Sequence, residues 1–294
     1  MTVKFSIIVA SYNYRRYISQ TLDSLLAQTY SDFEVLVVDD CSQDDSVAVI
    51  REYCRKDSRI RLVENEKNLG LVRTIEKAVA LAQNPWLAFC ESDDYWTPDY
   101  LERKACYIEQ NPEAAIVVSN VELFGDAEAM AKVKRERVSF EKLKKYQTPR
   151  SMFRDLFYHN IIPTFSCTAV RRDLLAACDF NPVQPAILDW WLWRQIAIDH
   201  KIGYLDKKLT FWRMHAKSYI RNHKEKGHNL SKQMFYANNR LVKAVRPFKF
   251  YLTWVQAFVL KHFVRVKITK NNRLLVRVCA IPVCNFKLGK SFDD

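Results

Sequence analysis

Three carboxylates stand within four residues, at Glu91, Asp93 and Asp94, directly after the apolar run from Trp86 to Cys90. Carboxylates this close together repel one another unless a cation lies between them, and hard oxygen ligands suit Mg²⁺ or Mn²⁺. A divalent ion bound there would neutralise a diphosphate. An acidic loop that caps the following helix has the same composition, so the cluster by itself leaves both interpretations open.

Two further polar clusters follow apolar runs nearer the start of the chain. Ser11, Tyr12 and Asn13 come after the first run, and Asp39 and Asp40 come after the second. Acidic residues at the end of a second strand can hydrogen-bond a base or a ribose. The alternative is a turn, which the polar residues after Asp40 also favour.

The apolar pattern predicts the elements that hold these clusters. Four runs have the length and composition of buried strands, at 5–10, 33–38, 60–63 and 86–90. Helical spacing of apolar residues lies between them, at 16–28, 47–53 and 72–82. This alternation is typical of a parallel sheet with crossover helices, in which ligands bind outside the carboxyl ends of the strands. The three polar clusters are therefore predicted to meet at one edge of a sheet.

The rest of the pattern predicts more elements of the same kind: a helix at 98–110, strands at 115–120, 165–170 and 208–214, and a helix at 188–198. Residues 126–150 are strongly mixed in charge, which indicates a surface segment. An α/β domain of this length is large enough to bury a full core.

Composition excludes several classes of protein. The 294 residues are 49% hydrophobic and 27% charged, which rules out a disordered or low-complexity chain. The five glycines form neither a GxGxxG fingerprint nor a P-loop, so a bound nucleotide must be held in another way. The eight cysteines form no CxxC pair, which argues against a zinc module. The chain begins with a strand-like run rather than a secretory signal, so we expect a cytoplasmic protein with reduced thiols.

The net charge of +13 is concentrated near the end of the chain, where thirteen Lys and Arg stand against two Asp from Lys232 onward. The apolar run from Phe250 to Leu260 lies in this region and is too short to span a bilayer. Aromatic and basic helices bind anionic bilayer surfaces. We therefore expect residues 232–294 to bind an anionic membrane and not nucleic acid, since they are too apolar for an arm that follows phosphates. The alternative is a helix that packs on the body of the protein or on another subunit.

Four segments resemble family 2 glycosyltransferases with the GT-A fold: SIIVASYN (Ser6 to Asn13), FEVLVVDDCSQDDS (Phe33 to Ser46), NLG (Asn68 to Gly70) and FCESDDYWTPDYL (Phe89 to Leu101). The resemblance implies an α/β, Rossmann-like fold with a central, mostly parallel sheet flanked by helices. We expect residues 1–220 to form this domain, with the nucleotide sugar bound by 1–120 and the acceptor by 121–220. Residues 221–294 are expected to form a basic, aromatic, helical extension.

The resemblance implies a donor site in the first half of the chain, formed by Ala10, Tyr12, Asn13, Asp39, Asp40, Asn68, Gly70 and Arg73. Of these, Ala10, Tyr12 and Asp40 would line the nucleoside pocket, with Asp39 beside them. Asn68 and Gly70 would shape the loop over the nucleotide. Arg73 would face the diphosphate, although a surface position on its helix fits the sequence equally well.

In the acidic cluster, the resemblance implies that Asp93 ligates a metal that bridges the two phosphates of the donor. Glu91 stands where Asp is usual, and its longer side chain can still reach the ribose or a water on the metal. Ser92, between them, is assigned with Glu91 to the donor site. The metal is expected to be Mg²⁺ or Mn²⁺.

The second half resembles the family in two places. Asp189 is the one candidate general base, because a sugar hydroxyl is a poor nucleophile until a carboxylate takes its proton. Leu188 stands where an acid is usual, and a helix N-cap is the alternative role for Asp189. The segment Phe211 to His215 resembles a late Arg-x-His element, in which Arg213 and His215 alternate onto one strand face. We assign Arg213 to the donor and His215 to the metal, with a structural role as the alternative for His215.

The resemblance implies an enzyme that transfers a single sugar, with inversion, from a nucleotide diphosphate sugar to the hydroxyl of a glycan or lipid-linked acceptor. A UDP-sugar is the expected donor, and the expected role is bacterial surface polysaccharide or lipid-linked oligosaccharide synthesis at the inner face of the cell membrane. Two alternatives stay open. A metal-dependent nucleotidyltransferase should carry a glycine-rich loop where Ser11 to Arg16 has no glycine. The other alternative is a non-catalytic relative that binds a sugar or a membrane, because Glu91 and Leu188 replace acids that are usual in the family.

Overall fold

The computed structural model describes residues 2–136, 148–149, 151–158, 160–182, 184–215, 264–268, 273–278 and 281–287. The chain divides into two compact units, Met1–Leu230 and Ser231–Asp294. The domain boundary that we predicted between residues 220 and 221 lies outside the described residues. In the described part of the chain, no helix is long and apolar enough to cross a membrane.

The first half of Met1–Leu230 alternates strands with helices, as the sequence predicts. Its elements are β1 (Phe5–Ser11), α1 (Ile18–Leu26), β2 (Phe33–Asp39), α2 (Ser46–Lys56), β3 (Ile60–Glu64), α3 (Leu71–Leu81) and β4 (Trp86–Phe89). β1 lies between β2 and β4 and runs parallel to both, and β3 extends the sheet beyond β2. β1, β2 and β4 are buried along almost their whole length, which is typical of a parallel sheet covered on both faces.

The second half completes the same sheet. Its elements are β5 (Tyr95–Trp96), α4 (Tyr100–Gln110), β6 (Ala114–Gly125), α5 (Ala127–Glu136), α6 (Phe153–Tyr158), a 3₁₀ turn (Phe165–Cys167), β7 (Thr168–Arg171), α7 (Arg172–Ala176), a second 3₁₀ turn (Pro185–Ile187), α8 (Leu188–Ala197) and β8 (Lys201–Met214). The strand order is β3-β2-β1-β4-β7-β6-β8-β5. β6 and β8 are parallel, while β7 runs antiparallel to β4 and β6, and β5 runs antiparallel to β8. This architecture confirms the predicted mixed α/β fold with a mostly parallel sheet.

Two elements differ from the sequence prediction for physical reasons. Residues 165–167, predicted as the start of a strand, form the 3₁₀ turn instead, and the Thr164 hydroxyl caps that turn by accepting from Ser166 N. β8 starts at Lys201 rather than at 208. Its exposed residues 206–208 interrupt the apolar pattern, and the pairing with β6 shifts register there.

A buried apolar core holds the strand ends in place. α1 buries Ile18, Leu22 and Leu25 in the same cluster as Phe5 of β1 and Val35 of β2. Burial of each such side chain stabilises the fold by roughly 1.5–3 kcal/mol relative to exposure. The sheet edge that carries the polar clusters is therefore attached to a rigid base.

In Ser231–Asp294, the residues that the structure describes form an antiparallel sheet and not the expected helix. Its strands are β9 (Val264–Ile268), β10 (Arg273–Val278) and β11 (Ile281–Lys287), in the order β11-β10-β9. The prediction of a helical extension is wrong for these residues. Apolar and basic residues alternate with period two from Val264 to Ile268, which is the pattern of a strand. The predicted apolar helix at 250–260 lies outside the described residues.

Candidate active site

The acidic loop Glu91–Asp94 meets the end of β8. Asp93 Oδ2 lies 2.8 Å from His215 Nε2, although 122 residues separate the two in sequence. The antiparallel pairing of β5 with β8, with Tyr95 opposite Phe211, brings them together. Both side chains are mostly buried, with 14% of Asp93 and 13% of His215 exposed. The structure thus places the two predicted metal ligands side by side.

Arg213 braces the acidic loop from β8. Its Nε donates to the Asp93 carbonyl oxygen at 2.7 Å, and its backbone N donates to Asp94 Oδ1 at 2.9 Å. The guanidinium lies between the rings of Tyr17 and Phe124, 4.5 and 4.3 Å from their centroids. It also donates to the Gln20 side chain. Groups of the protein itself therefore engage the guanidinium, and direct contact of Arg213 with a donor stays a prediction.

Negative charge at this site is unfavourable without a counterion. Asp94 is 1% exposed, and burial raises the pKa of its carboxyl well above the ordinary value, with the charges of Asp93 and Glu91 adding to the rise. Burial and then the charge of Asp93 also raise the pKa of the nearby Tyr14. A bound cation would offset the repulsion between these negative charges.

The side chains that could act as metal ligands fit Mg²⁺ or Mn²⁺. Mg²⁺ is usually bound by one or two carboxylates together with substrate phosphates and water. Asp93 and His215 offer a carboxylate and an imidazole at one point, with Glu91 on the same loop. Among the described residues, no group of three or more His, Cys, Asp or Glu side chains could hold an ion. Phosphate and water would therefore have to complete the coordination.

Glu91 is held by residues that precede β7. The Thr164 hydroxyl donates to Glu91 Oε2, and Glu91 N donates to Ser166 Oγ at 2.9 Å. Ser92, the other loop residue assigned to the donor, is buried. Thr164 and Ser166 are not among the residues predicted for the site. The only signal for them is the hydroxyl-rich segment from Thr164 to Thr168 between apolar residues.

The two aspartates after β2 shape the neighbouring loops. Asp39 accepts from Ser42 N at 2.8 Å and from Ser42 Oγ at 2.7 Å. Asp40 accepts from Asn65 Nδ2 at 2.8 Å and from the backbone N of Leu69 and Gly70 at 2.7 and 2.8 Å. Asp40 therefore fixes the loop that leads into α3.

The remaining residues predicted for the nucleoside surround this edge of the sheet. Ala10 lies near the end of β1, and Tyr12 is 42% exposed. Asn13 adopts a φ of 59° and accepts from Gln43 N through Oδ1 at 2.7 Å, which ties the ends of β1 and β2 together. Gly70 adopts a φ of 80°, a left-handed conformation that favours glycine. The edge is therefore open at Tyr12 and ordered by backbone contacts around it.

Arg73 and Asn68 lie on the exposed side of the same loop and helix. Arg73 Nη1 contacts Glu76, and its Nη2 donates to Asn181 Oδ1 at 3.1 Å. Asn68 Oδ1 accepts from Gly70 N at 3.1 Å. The surface alternative for Arg73 agrees with these contacts, while its contact with a diphosphate stays a prediction.

Asp189 lies in the first turn of α8 and is not its N-cap, a position that Ile187 occupies. Its Oδ1 accepts from Trp190 N at 2.6 Å and its Oδ2 from Asn160 Nδ2 at 3.3 Å. Trp191 and Trp193 are buried, so they anchor the helix in the core. The half-buried carboxylate is thus oriented by two donors.

Comparisons with known proteins agree with this fold and site. The family model described as "Glycosyl transferase family 2" matches residues 6–178. The Escherichia coli protein "UDP-Glc:alpha-D-GlcNAc-diphosphoundecaprenol beta-1,3-glucosyltransferase WfgD" is 33% identical over 141 residues, which cover 48% of this chain and 54% of WfgD. The chain thus matches about half the length of that relative.

Two solved structures share the fold. S. aureus TarS 1–349 in complex with UDP-GlcNAc has a TM-score of 0.57 at 16% identity, with 94% of this chain and 97% of TarS covered. The mannosyltransferase PcManGT from Pyrobaculum calidifontis, in complex with GDP-Man and Mn²⁺, has a TM-score of 0.61 at 18% identity, with 88% and 70% covered. These likenesses confirm the predicted GT-A fold.

Proposed function

Because this chain belongs to glycosyl transferase family 2, we propose that it transfers a single sugar, with inversion, from a UDP-sugar to the hydroxyl of a lipid-linked or glycan acceptor. The observation that carries the proposal is the 2.8 Å contact between Asp93 and His215 beside the edge that holds Asp39 and Asp40. A carboxylate and an imidazole at that point suit a divalent ion next to a nucleotide.

Asp93 and His215 would hold Mg²⁺ or Mn²⁺. The ion supplies charge neutralisation for the leaving diphosphate. Arg213 keeps the Asp93 backbone in place, and Glu91 would face the ribose of the donor. PcManGT is described as a complex with Mn²⁺, which supports a metal in this fold.

Asp189 would act as the general base. Its carboxylate would take the proton from the acceptor hydroxyl as that oxygen attacks the anomeric carbon and the bond to the diphosphate breaks. A single in-line displacement of this kind inverts the anomeric centre. General-base catalysis contributes typically about 10²- to 10⁴-fold to the rate.

The nucleoside would bind at the open edge around Tyr12. Ala10 and Tyr12 would contact the base, while Asp39, Asp40 and Asn13 keep the surrounding loops in shape. The names of WfgD and of the TarS complex mention UDP-Glc and UDP-GlcNAc, and on that support we favour a UDP-sugar as donor.

The acceptor and the membrane form the second part of the proposal. WfgD is named for a diphosphoundecaprenol-linked acceptor, which supports a lipid-linked acceptor and bacterial polysaccharide synthesis. The positive charge from Lys232 onward would bring the enzyme to the anionic inner face of the cell membrane. Deletion of residues 232–294 should release the protein from phosphatidylglycerol vesicles. Equal partitioning of the full-length and shortened chains would contradict the membrane role.

The activity itself is tested by product analysis. We expect the protein to release UDP from a UDP-sugar with Mn²⁺ when a lipid-linked acceptor is present. Asp93→Asn should weaken binding of UDP with Mn²⁺, and Asp189→Asn should retain that binding but lose transfer at least about 100-fold. Glu109→Gln, on the exposed side of α4, is the matched control. Pyrophosphate release from UTP would indicate a nucleotidyltransferase, and donor binding without UDP release would indicate a non-catalytic relative.

A further inference from the structure

α4 buries a lysine in the core of Met1–Leu230. Lys104 is 0% exposed, and its Nζ donates to Val117 O at 2.8 Å and to Cys167 O at 2.9 Å. Burial of an amine without partners is costly, so both hydrogen bonds are needed to keep it there. One of the two carbonyls belongs to the 3₁₀ turn Phe165–Cys167, which the candidate active site uses.

Further donors from the core bind the backbone of the same segment. Ser166 O accepts from Trp96 Nε1 at 2.8 Å and from Thr210 Oγ1 at 3.0 Å. Thr168 O accepts from the Tyr100 hydroxyl at 3.2 Å. Three consecutive carbonyls, from Ser166 to Thr168, thus accept hydrogen bonds from side chains of the core. The turn is therefore fixed from its core side.

The side-chain hydroxyls of the turn contact the acidic loop. Thr164 donates to the Glu91 carboxylate and accepts from Ser166 N at 3.3 Å, so one hydroxyl links the turn to Glu91. Ser166 Oγ accepts from Glu91 N at 2.9 Å. Both the main chain and the side chain of Glu91 are consequently attached to the turn.

We propose that Thr164 and Ser166 are positioning residues that set the Glu91 carboxylate beside Asp93, and that Lys104 fixes the turn that carries them. Glu has one more rotatable bond than Asp, and ordering that bond costs conformational entropy when the donor and metal bind. The Thr164 hydroxyl orders it beforehand. This inference rests on the proposed function, because it takes Glu91 to face the donor.

The first test compares the two threonines that flank the 3₁₀ turn. Thr164→Val removes the hydroxyl that contacts Glu91, whereas Thr168→Val removes a hydroxyl that donates to Phe165 O at 2.7 Å. Both residues are buried, so their effects on stability should be similar. Mn²⁺ affinity in the presence of UDP is measured by electron paramagnetic resonance. We expect a loss of about 10-fold for Thr164→Val, a clearly smaller loss of about two-fold for Thr168→Val, which helps to fix the turn but does not contact Glu91, and recovery in Thr164→Ser.

A double variant tests whether Thr164 acts through Glu91. Combining Thr164→Val with Glu91→Ala should weaken Mn²⁺ binding no more than Glu91→Ala does alone. Additive losses would overturn the proposal, as would equal losses in Thr164→Val and Thr168→Val. Wild-type protein that binds neither UDP nor Mn²⁺ would instead refute the proposed function, so the two failures are distinguishable.

Lys104 is tested with a pair of variants of similar size. Lys104→Gln keeps N–H donors at the end of a long side chain, whereas Lys104→Met removes them. We expect Lys104→Met to show the Mn²⁺ affinity of Thr164→Val and Lys104→Gln to remain near wild type. The Ser119 hydroxyl also donates to Cys167 O, at 3.3 Å. If Lys104→Met does not fold, Ser119→Ala removes this weaker hydrogen bond and should also lower the Mn²⁺ affinity. Unchanged affinity in the folded variants would contradict the role of Lys104.

Discussion

Lys104 should give the protein a measurable dependence of stability on pH. Burial lowers the pKa of its ammonium from the ordinary value of 10.5 to about 7. Between these two values the unfolded chain binds one more proton than the folded chain, so the free energy of unfolding rises with pH. A neutral amine retains two N–H donors, which matches the two carbonyls at Val117 and Cys167.

The magnitude follows from the shift in pKa. One proton changes the free energy of unfolding by about 1.36 kcal/mol per pH unit. At about pH 7, near the pKa in the folded protein, half of the Lys104 side chains are already deprotonated. The free energy of unfolding therefore rises by about 1.6 kcal/mol from about pH 7 to about pH 8.5. The window ends there because burial raises the pKa of the Cys90 thiol above 9.0, which lowers stability at higher pH.

Urea unfolding followed by tryptophan fluorescence measures this gain at several pH values. The Lys104→Met variant lacks the titrating group, so the difference between wild type and variant should grow by about 1.6 kcal/mol across the window. Lys207→Met removes an exposed lysine of β8 and serves as the control. Parallel pH profiles for wild type and Lys104→Met would refute the reasoning, because they would show that Lys104 keeps its proton in the folded protein.

Two further predictions concern Gly125 at the end of β6 and Arg213 near the end of β8. Gly125→Ala should lower the free energy of unfolding by more than about 2 kcal/mol, because φ is +105° and the new Cβ would lie 2.5 Å from Met214 O. Thermal denaturation measures this loss of stability, and an unchanged melting temperature would contradict the prediction. Arg213→Lys should keep the charge but lose the planar stacking between two rings, and so weaken UDP binding with Mn²⁺ by about 1 kcal/mol in isothermal titration calorimetry. If this variant binds UDP with wild-type affinity, the contacts of Arg213 with the acidic loop and the two rings are not needed for binding.

The sequence predicts much of the first half of the fold because local pattern and tertiary environment agree there. The runs that become β1, β2 and β4 are apolar without interruption, and parallel strands are buried on both faces. The strand-end rule likewise predicts that Asp39, Asp40 and the acidic loop share one edge. The alternation of Arg213 and His215 predicts that both face the same way, and the structure brings both to the acidic loop, with His215 directly after β8.

Features that depend on contacts between distant segments could not be predicted. The 3₁₀ turn Phe165–Cys167 has the local sequence pattern of a strand, but side chains of β5, α4 and β8 donate hydrogen bonds to its carbonyls. Nothing local in the sequence shows that the rings of Tyr17 and Phe124 enclose the Arg213 guanidinium. Lys104 is buried because its two carbonyl partners, Val117 O and Cys167 O, come from β6 and from the turn, which local sequence does not show.

The position of β8 in the sheet has a consequence for synthesis of the protein. β8 pairs with both β6 and β5, yet it is the last described strand of Met1–Leu230 to leave the ribosome. A nascent chain that ends before Lys201 exposes one edge of β6, whose residues 114–118 are buried in the complete unit. Open apolar strand edges promote aggregation. A ribosome that pauses just upstream of Lys201 would therefore prolong the stage at which the chain most needs a chaperone. A product that terminates there would contain Asp93 but lack His215, its partner in the complete chain.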